Sequence, residues 1–275
     1  MTLAIYIGSA IWRTVEVGHM KGITALLRTP GFSYYPQTGD ALIDRARGIS
    51  ATYFLRQTEA DIHLSIDSDI TGFTVQDTQK MCELAVEHSI VGGVYVCRSA
   101  SRTFPATYYE DGVRVMHGLV HEVVPVKWCA TGFLAVHRRV FEKLAEDLPL
   151  LHKSEGDRAF YPFYLPMVYE DADTGEPIEL SEDYAFCQRA KVAGFPSYID
   201  PAVRLGHIGS YIYRLEDTAQ PGIEPQPLAL TREGKRWRIE GMGERSTELP
   251  SVEPPKLIVP KLELNREQRR TLTRA

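Results

Sequence analysis

Residues 60–73, Ala-Asp-Ile-His-Leu-Ser-Ile-Asp-Ser-Asp-Ile-Thr-Gly-Phe, constrain this chain more than any other stretch. Residues 62–66 form a short, mostly apolar run that leads straight into Asp67-Ser68-Asp69. A run of that length with polar punctuation at one end suits a buried strand. In open α/β sheets, ligands bind in the crevice beyond the carboxyl ends of the strands, and that is where the two carboxylates fall. Side chains alternate along an extended strand, so Asp67 and Asp69 point the same way if the strand geometry persists. Such a pair repels itself unless a cation or ligand donors stand between its members. Oxygen ligands suit Mg²⁺ or Mn²⁺, and Mg²⁺ commonly shares its coordination with phosphate oxygens. The stretch is therefore a candidate divalent-metal site for a nucleotide diphosphate. Alone, Asp-Ser-Asp before Ile-Thr-Gly reads equally as a solvated turn; its weight comes from segments further along.

The rest of the chain supplies alternating strands and helices. Residues 3–7 are an apolar strand ending in Gly8-Ser9. There Gly8 either lets a ligand approach the backbone or serves a turn. Residues 15–27, 40–56, 75–88, 138–146 and 181–192 carry helical spacing. Strands are expected at 32–35, 90–97, 120–126, 134–136 and 198–200, with a hairpin over 108–115 that turns at residues 110–112. Arg45 and Arg47 lie early in the second helix. Arg45 reads as part of a solvated face, whereas a first-turn arginine at the sheet edge can grip a phosphate by forked hydrogen bonds. Cys129-Ala-Thr-Gly-Phe133 puts small residues between a strand and a helix, which fits close approach to a ligand or a packing-driven bend. Residues 152–179 are irregular and long enough for a lid or binding loop.

Glu182-Asp183 open a helix behind Ser181, a placement that capping and the helix dipole explain by themselves. His207 sits between two glycines and could serve a turn. Combined with Asp67 and Asp69, these residues meet the needs of nucleotide-sugar chemistry. A metal neutralises the departing diphosphate, and a separate carboxylate takes the proton of an attacking hydroxyl.

Three segments carry a family resemblance: 46–69, 129–141, and 182–194 with Gly206-His207. Across roughly residues 3–213 the order of elements resembles the GT-A glycosyltransferases, particularly family-two-like enzymes, including some carried by bacteriophages. The resemblance implies a single GT-A-like (Rossmann-like) α/β domain over residues 1–217 with a mostly parallel sheet. A Pro-rich linker and charged tail would follow over 218–275. It implies Mn²⁺ or Mg²⁺ on Asp69 and His207, with Asp67 as a further ligand or a ribose contact. Asp183 would be the general base of an inverting reaction, with Glu182 as the second candidate. Arg47, Ser68, Thr131 and Gly132 would lie against the nucleotide sugar, and Ile7, Gly8 and Ser9 would line the nucleoside pocket. The opening between the first strand and the Arg47 helix departs from the usual family-two form, so no base-reading Asp is assigned. A uridine diphosphate donor is the group's commonest choice. A glycan, a small molecule or a modified DNA base would be the hydroxyl acceptor. The rivals are a nucleotidyltransferase on a related sheet, which would release pyrophosphate, and a non-catalytic sugar- or scaffold-binding protein.

Composition sets outer limits. The 275 residues carry a formal net charge of −5, with 44% hydrophobic and 24% charged residues, values of a chain able to bury a core. Nothing in that balance calls for nucleic acid or an anionic membrane, although the tail from Arg266 is locally basic. The four cysteines form no Cys-x-x-Cys pair and read as buried, reduced thiols. With no signal segment and no long apolar run, a cytoplasmic location is expected (host cytoplasm for a viral protein), without membrane contact.

Overall fold

The computed structural model describes residues 2–98, 103–109, 114–118, 121, 123–153, 158–171, 174–209 and 212–214. Of residues 114, 212, 213, 228–233, 236–241 and 246–247 it describes the backbone. The expected turn at 110–112 and the locally basic tail from Arg266 lie outside the described residues.

Strands β1 (Ile5–Ile11), β2 (Phe32–Thr38), β3 (Ile62–Ile66), β4 (Ile70–Thr71), β5 (Ile90–Gly93), β6 (Val124–Val126), β7 (Phe133–His137), β8 (Ser197–Asp200) and β9 (Gly206–Ile208) alternate with five helices. These are α1 (Val17–Leu27), α2 (Ile43–Gln57), α3 (Val75–His88), α4 (Arg138–Asp147) and α5 (Glu182–Val192). Seven strands form the central sheet in the order β2-β1-β3-β7-β5-β8-β6. β1 is parallel to β2 and to β3, and β5 is parallel to β8. β7 runs antiparallel between β3 and β5, and β6 antiparallel to β8. Five strands thus share one direction, and their carboxyl ends define one edge. The expected α/β single domain with a mostly parallel core is present.

The sheet is covered on both faces, which explains why its central strands read as nearly unbroken apolar runs. Ile62, Leu64 and Ile66 of β3 pack with Ile5 and Ile7 of β1, Ile23 and Leu26 of α1, and Met81 and Ala85 of α3. Tyr6, Leu134 and Val136 face the other way, into a cluster with Phe54 of α2, Phe141 of α4 and Phe186 of α5. Each Leu, Ile, Val, Met or Phe side chain among these, taken fully out of water, contributes roughly 1.5–3 kcal/mol. Arg138 links the layers, since its guanidinium donates to the carbonyls of Phe54, Leu55, Thr58 and Ala60 and so satisfies the carboxyl end of α2.

Several expectations change in detail. β1 runs on through Gly8 and Ser9 instead of stopping at residue 7, so Gly8 is a strand residue and not a turn. A Cβ on Gly8 would meet Ser50 Oγ at 2.3 Å and His63 Nε2 at 2.9 Å, so the glycine is there to let α2 pack. The segment 152–179 is not irregular throughout, because antiparallel ladders join 151–152 to 159–160 and 167–170 to 177–180. Phe163 and Tyr164, at its middle, are buried in the core, which anchors that part against moving as a lid. In the stretch expected to be linker and tail, Leu228–Glu233 pairs with Arg236–Gly241 and with Arg114–His117. The alternation Leu228, Leu230 and Trp237, Ile239 around Gly234-Lys235 is a hairpin pattern that the surrounding Pro- and Glu-rich composition obscures. Among the described residues, no helix is long and apolar enough to cross a membrane.

Candidate active site

β3 ends at Ile66, and the acids that follow diverge. The alternation of β3 puts His63, Ser65 and Asp67 on the α2 side. There Arg47, only 6% exposed, donates to both carboxylate oxygens of Asp67 at 2.7 and 3.0 Å and to Ser65 Oγ at 3.3 Å. Its Nε lies 3.9 Å from Glu182 Oε1. Asp69 comes after a turn closed by Ile70 N donating to Asp67 O. β4 then pairs with β9, and Ile208 N donates to Asp69 O at 2.8 Å. This pairing brings His207 Nε2 to 3.6 Å from Asp69 Oδ2. The condition under which Asp67 and Asp69 would point the same way is not met, because β3 ends at Ile66, before either acid.

The His207 ring is held on two sides. Its Nδ1 bonds the Val96 carbonyl at 3.0 Å, and since a carbonyl only accepts, Nδ1 is the donor. Tyr95 meets the ring edge-on at 5.0 Å between centroids. Nε2 therefore faces the carboxylate, in the arrangement by which a hydrogen-bonded histidine presents its other nitrogen to a metal. Two ligands about 2.1 Å from one cation and at right angles lie about 3.0 Å apart. The observed separation is that of a pair slightly opened. Arg98 also reaches this carboxylate, with Nη1 3.0 Å from Asp69 Oδ2 and 3.0 Å from the Ile208 carbonyl. Burial works to raise the Asp69 pKa, but hydrogen bonding and charge from His207, with Arg98, hold it below the ordinary carboxylate value.

Asp69 and His207 could supply two ligands to a divalent ion, with Arg98 moved off Asp69 Oδ2 and the remaining positions taken by phosphate and water. Asp67 does not join them, because Arg47 engages both its oxygens. Among the described residues no group of three His, Cys, Asp or Glu side chains is assembled for a metal.

α5 delivers its first turn to the same region. Asp183 Oδ1 accepts from Ser181 Oγ and from Tyr184 N at 2.8 Å, so Ser181 caps through the aspartate and not through the helix backbone. Its negative charge helps to raise the pKa values of Tyr95 and Cys97, behind the larger effect of burial. Glu182 is also pushed up, first by burial and then by Asp183, against the pull of Arg47.

The other expected residues are placed as follows. Gly132 O accepts from Asp67 N at 2.8 Å, and a Cβ on Gly132 would meet Tyr95 Oη at 2.4 Å. Tyr95 thus already occupies the space next to this small residue. Thr131 is fully buried, and among the described residues its Oγ1 has no partner. Ser68 O accepts from Glu16 N. Ile7 and Ser9 are both 0% exposed, with Ile7 in the apolar core and Ser9 Oγ 3.5 Å from His19 Nε2. Both side chains are closed to solvent. Arg45 is not simply solvated: it forms a forked pair with the buried Asp40, which Lys153 also reaches at 3.2 Å.

The structure thus brings together Arg47, Asp67, Asp69, Glu182, Asp183 and His207, together with Arg98 and Tyr95, which the sequence reading did not include. Arg98 could have been found by noting the cations that follow each strand at the carboxyl edge. Tyr95 carried no such signal.

No protein-family model and no curated protein matches the sequence. Among solved structures, the chain is similar to A197 from STIV, at 14% identity over 90% of this chain and 99% of that one, with a TM-score of 0.46. It is also similar to CMP:2-keto-3-deoxy-manno-octonic acid synthetase complexed with CTP, at 12% identity over 72% and 88%, with a TM-score of 0.38. At these values the likenesses carry no weight for function, which rests on the site itself.

Proposed function

We propose that this protein is a metal-dependent glycosyltransferase that moves a sugar from a nucleoside diphosphate, most simply a uridine diphosphate sugar, to a hydroxyl acceptor. The observation that supports this is the 3.6 Å approach of Asp69 and His207, distant in sequence, with Tyr95 lying against His207 and within electrostatic reach of Asp183 in the first turn of α5. Asp69 and His207 would hold Mn²⁺ or Mg²⁺. When bound, the ion supplies positive charge for the diphosphate oxygens. Arg47, through Asp67 and Glu182, fixes the β3 end and the α5 start relative to each other. Both hydrogen bonds to Asp183 fall on Oδ1, which leaves Oδ2 for the acceptor hydroxyl. In the inverting case the acceptor oxygen bonds to the anomeric carbon, the bond to the diphosphate breaks with its electron pair on the leaving group, and Asp183 takes the proton.

Incubation with a panel of nucleotide sugars, Mn²⁺ and hydroxyl acceptors, with identification of the released nucleotide, tests the reading. A nucleoside diphosphate is expected. Pyrophosphate released from a nucleoside triphosphate and a free sugar would replace the proposal with nucleotidyl transfer. Metal-independent binding of sugars without turnover would make this a binding protein.

A further inference from the structure

A cleft of about 680 Å³ opens on the α2 face of the sheet, between edge strand β2, the second half of α2 and residues 158–159. Its floor is Tyr6, which is 2% exposed, and Tyr35 stacks on that ring with centroids 5.0 Å apart and planes within 5°. Tyr53 stands 5.4 Å from Tyr35, tilted by 40°. Tyr35 and Tyr53 are 41% and 44% exposed, so an aromatic platform faces solvent across the cleft. Arg56 and Arg158 line the same cleft. Among the described residues neither guanidinium is engaged by a carboxylate or a side-chain hydrogen bond, whereas Arg45, Arg47 and Arg98 each hold an acid.

Two guanidiniums that no acid among the described residues engages, beside stacked, half-exposed rings, favour a ligand that offers both a flat ring and an anion. A neutral sugar could lie on the tyrosines but would leave both guanidiniums without a counter-charge. An inorganic anion would leave the rings uncovered. We propose that this cleft binds a nucleotide unit, its base continuing the Tyr6–Tyr35 stack and its phosphate taken by Arg56 and Arg158. The volume lies within the range of small-molecule sites, and stacking with arginine contacts is the general chemistry of base-and-phosphate recognition. Its arginines stand away from the Asp69–His207 pair, although Tyr35, Pro36 and Gln37 come from the last four residues of β2. Arg56 lies nine residues beyond Arg47, about 13 Å along the helix axis, and the proposal stands whether or not the protein transfers sugars.

The test is calorimetric titration of the full chain in EDTA with nucleoside 5′-monophosphates, with ribose 5-phosphate and uncharged nucleosides as controls. A short 5′-phosphorylated oligonucleotide distinguishes a strand end from a free nucleotide as the source. Monophosphates should bind more tightly than either control. Arg56→Gln and Arg158→Gln, surface changes that spare the core, should each weaken binding about tenfold, and Asp69→Ala should leave it unchanged. Tyr35→Ala should remove the preference for a base over ribose 5-phosphate. Absence of binding, or binding indifferent to both arginine changes, would overturn the proposal. Loss of binding in Asp69→Ala would also overturn it, by placing the nucleotide at the Asp69–His207 pair. The glycosyltransferase reading is scored separately, by turnover.

Discussion

Replacing Arg47 with methionine tests the joint that holds the site's two halves together. The guanidinium is 6% exposed and engages both oxygens of Asp67. Methionine keeps the apolar stem but leaves the Asp67 carboxylate without its partner. Removing one member of a buried ion pair costs about 3–5 kcal/mol. The Asp67 side chain keeps 23% exposure, so the loss should fall near the lower end, about 3 kcal/mol. For a domain of this size that corresponds to a fall in Tm of roughly 6–12 °C. Asp67→Asn alone should also be costly, because it strands the buried guanidinium with Glu182 3.9 Å away. The double variant Arg47→Met with Asp67→Asn removes both charges, and its loss should be smaller than the sum of the single losses by about 1.5 kcal/mol or more. Thermal unfolding followed by circular dichroism in EDTA, with all four proteins, measures the coupling without reference to activity. Additive losses, or a single variant that melts within about 2 °C of the parent, would refute the reasoning.

Other consequences follow from individual contacts. Arg98→Ala removes a cation from Asp69 Oδ2 at a half-exposed position, where such pairs are worth about 0.2–1 kcal/mol; Mn²⁺ should bind up to about fivefold more tightly by calorimetry, and weaker binding would mean that Arg98 supports the ion. Gly132→Ala drives a Cβ against Tyr95 and should cost about 1–3 kcal/mol, with weaker Mn²⁺ binding because Tyr95 packs on His207; an unchanged Tm would contradict the packing. His63 and His117 are buried without charge, desolvation lowering their pKa values to about 3 and about 4. Each adds stability that is fully present above the ordinary histidine value of 6.5 and is lost as pH falls toward its folded value. Denaturant titrations from pH 7 to 4 should therefore show a loss of about 1.4 kcal/mol per pH unit per histidine, and His63→Gln should flatten the slope, whereas an unchanged slope would contradict its burial as the neutral form.

Much of the scaffold was legible because local periodicity and burial agree. Residues 62–66 are apolar enough for a strand covered on both faces, and the helices at 43–57 and 75–88 announce themselves by their apolar stripes. The antiparallel insertion of β7 between β3 and β5 was not legible, since a strand's pattern is the same in either direction. At the site, the residue types and the edge on which they gather could be read from the sequence. How Asp67 and Asp69 divide their partners could not, because that depends on β3 ending at Ile66 and β4 pairing with β9. Gly8 and Gly132 were assigned to ligand approach or local bends, but their real neighbours, Ser50, His63 and Tyr95, come from other elements.

Everything proposed for the site requires Asp69 and His207 to share one divalent cation. Crystals soaked with Mn²⁺ and a nucleoside diphosphate, measured at the manganese absorption edge, test it most directly. The account predicts an anomalous peak between Asp69 Oδ2 and His207 Nε2, with Arg98 displaced from the carboxylate. An ion bound elsewhere, or Arg98 still on Asp69 with no peak beside it, would contradict it.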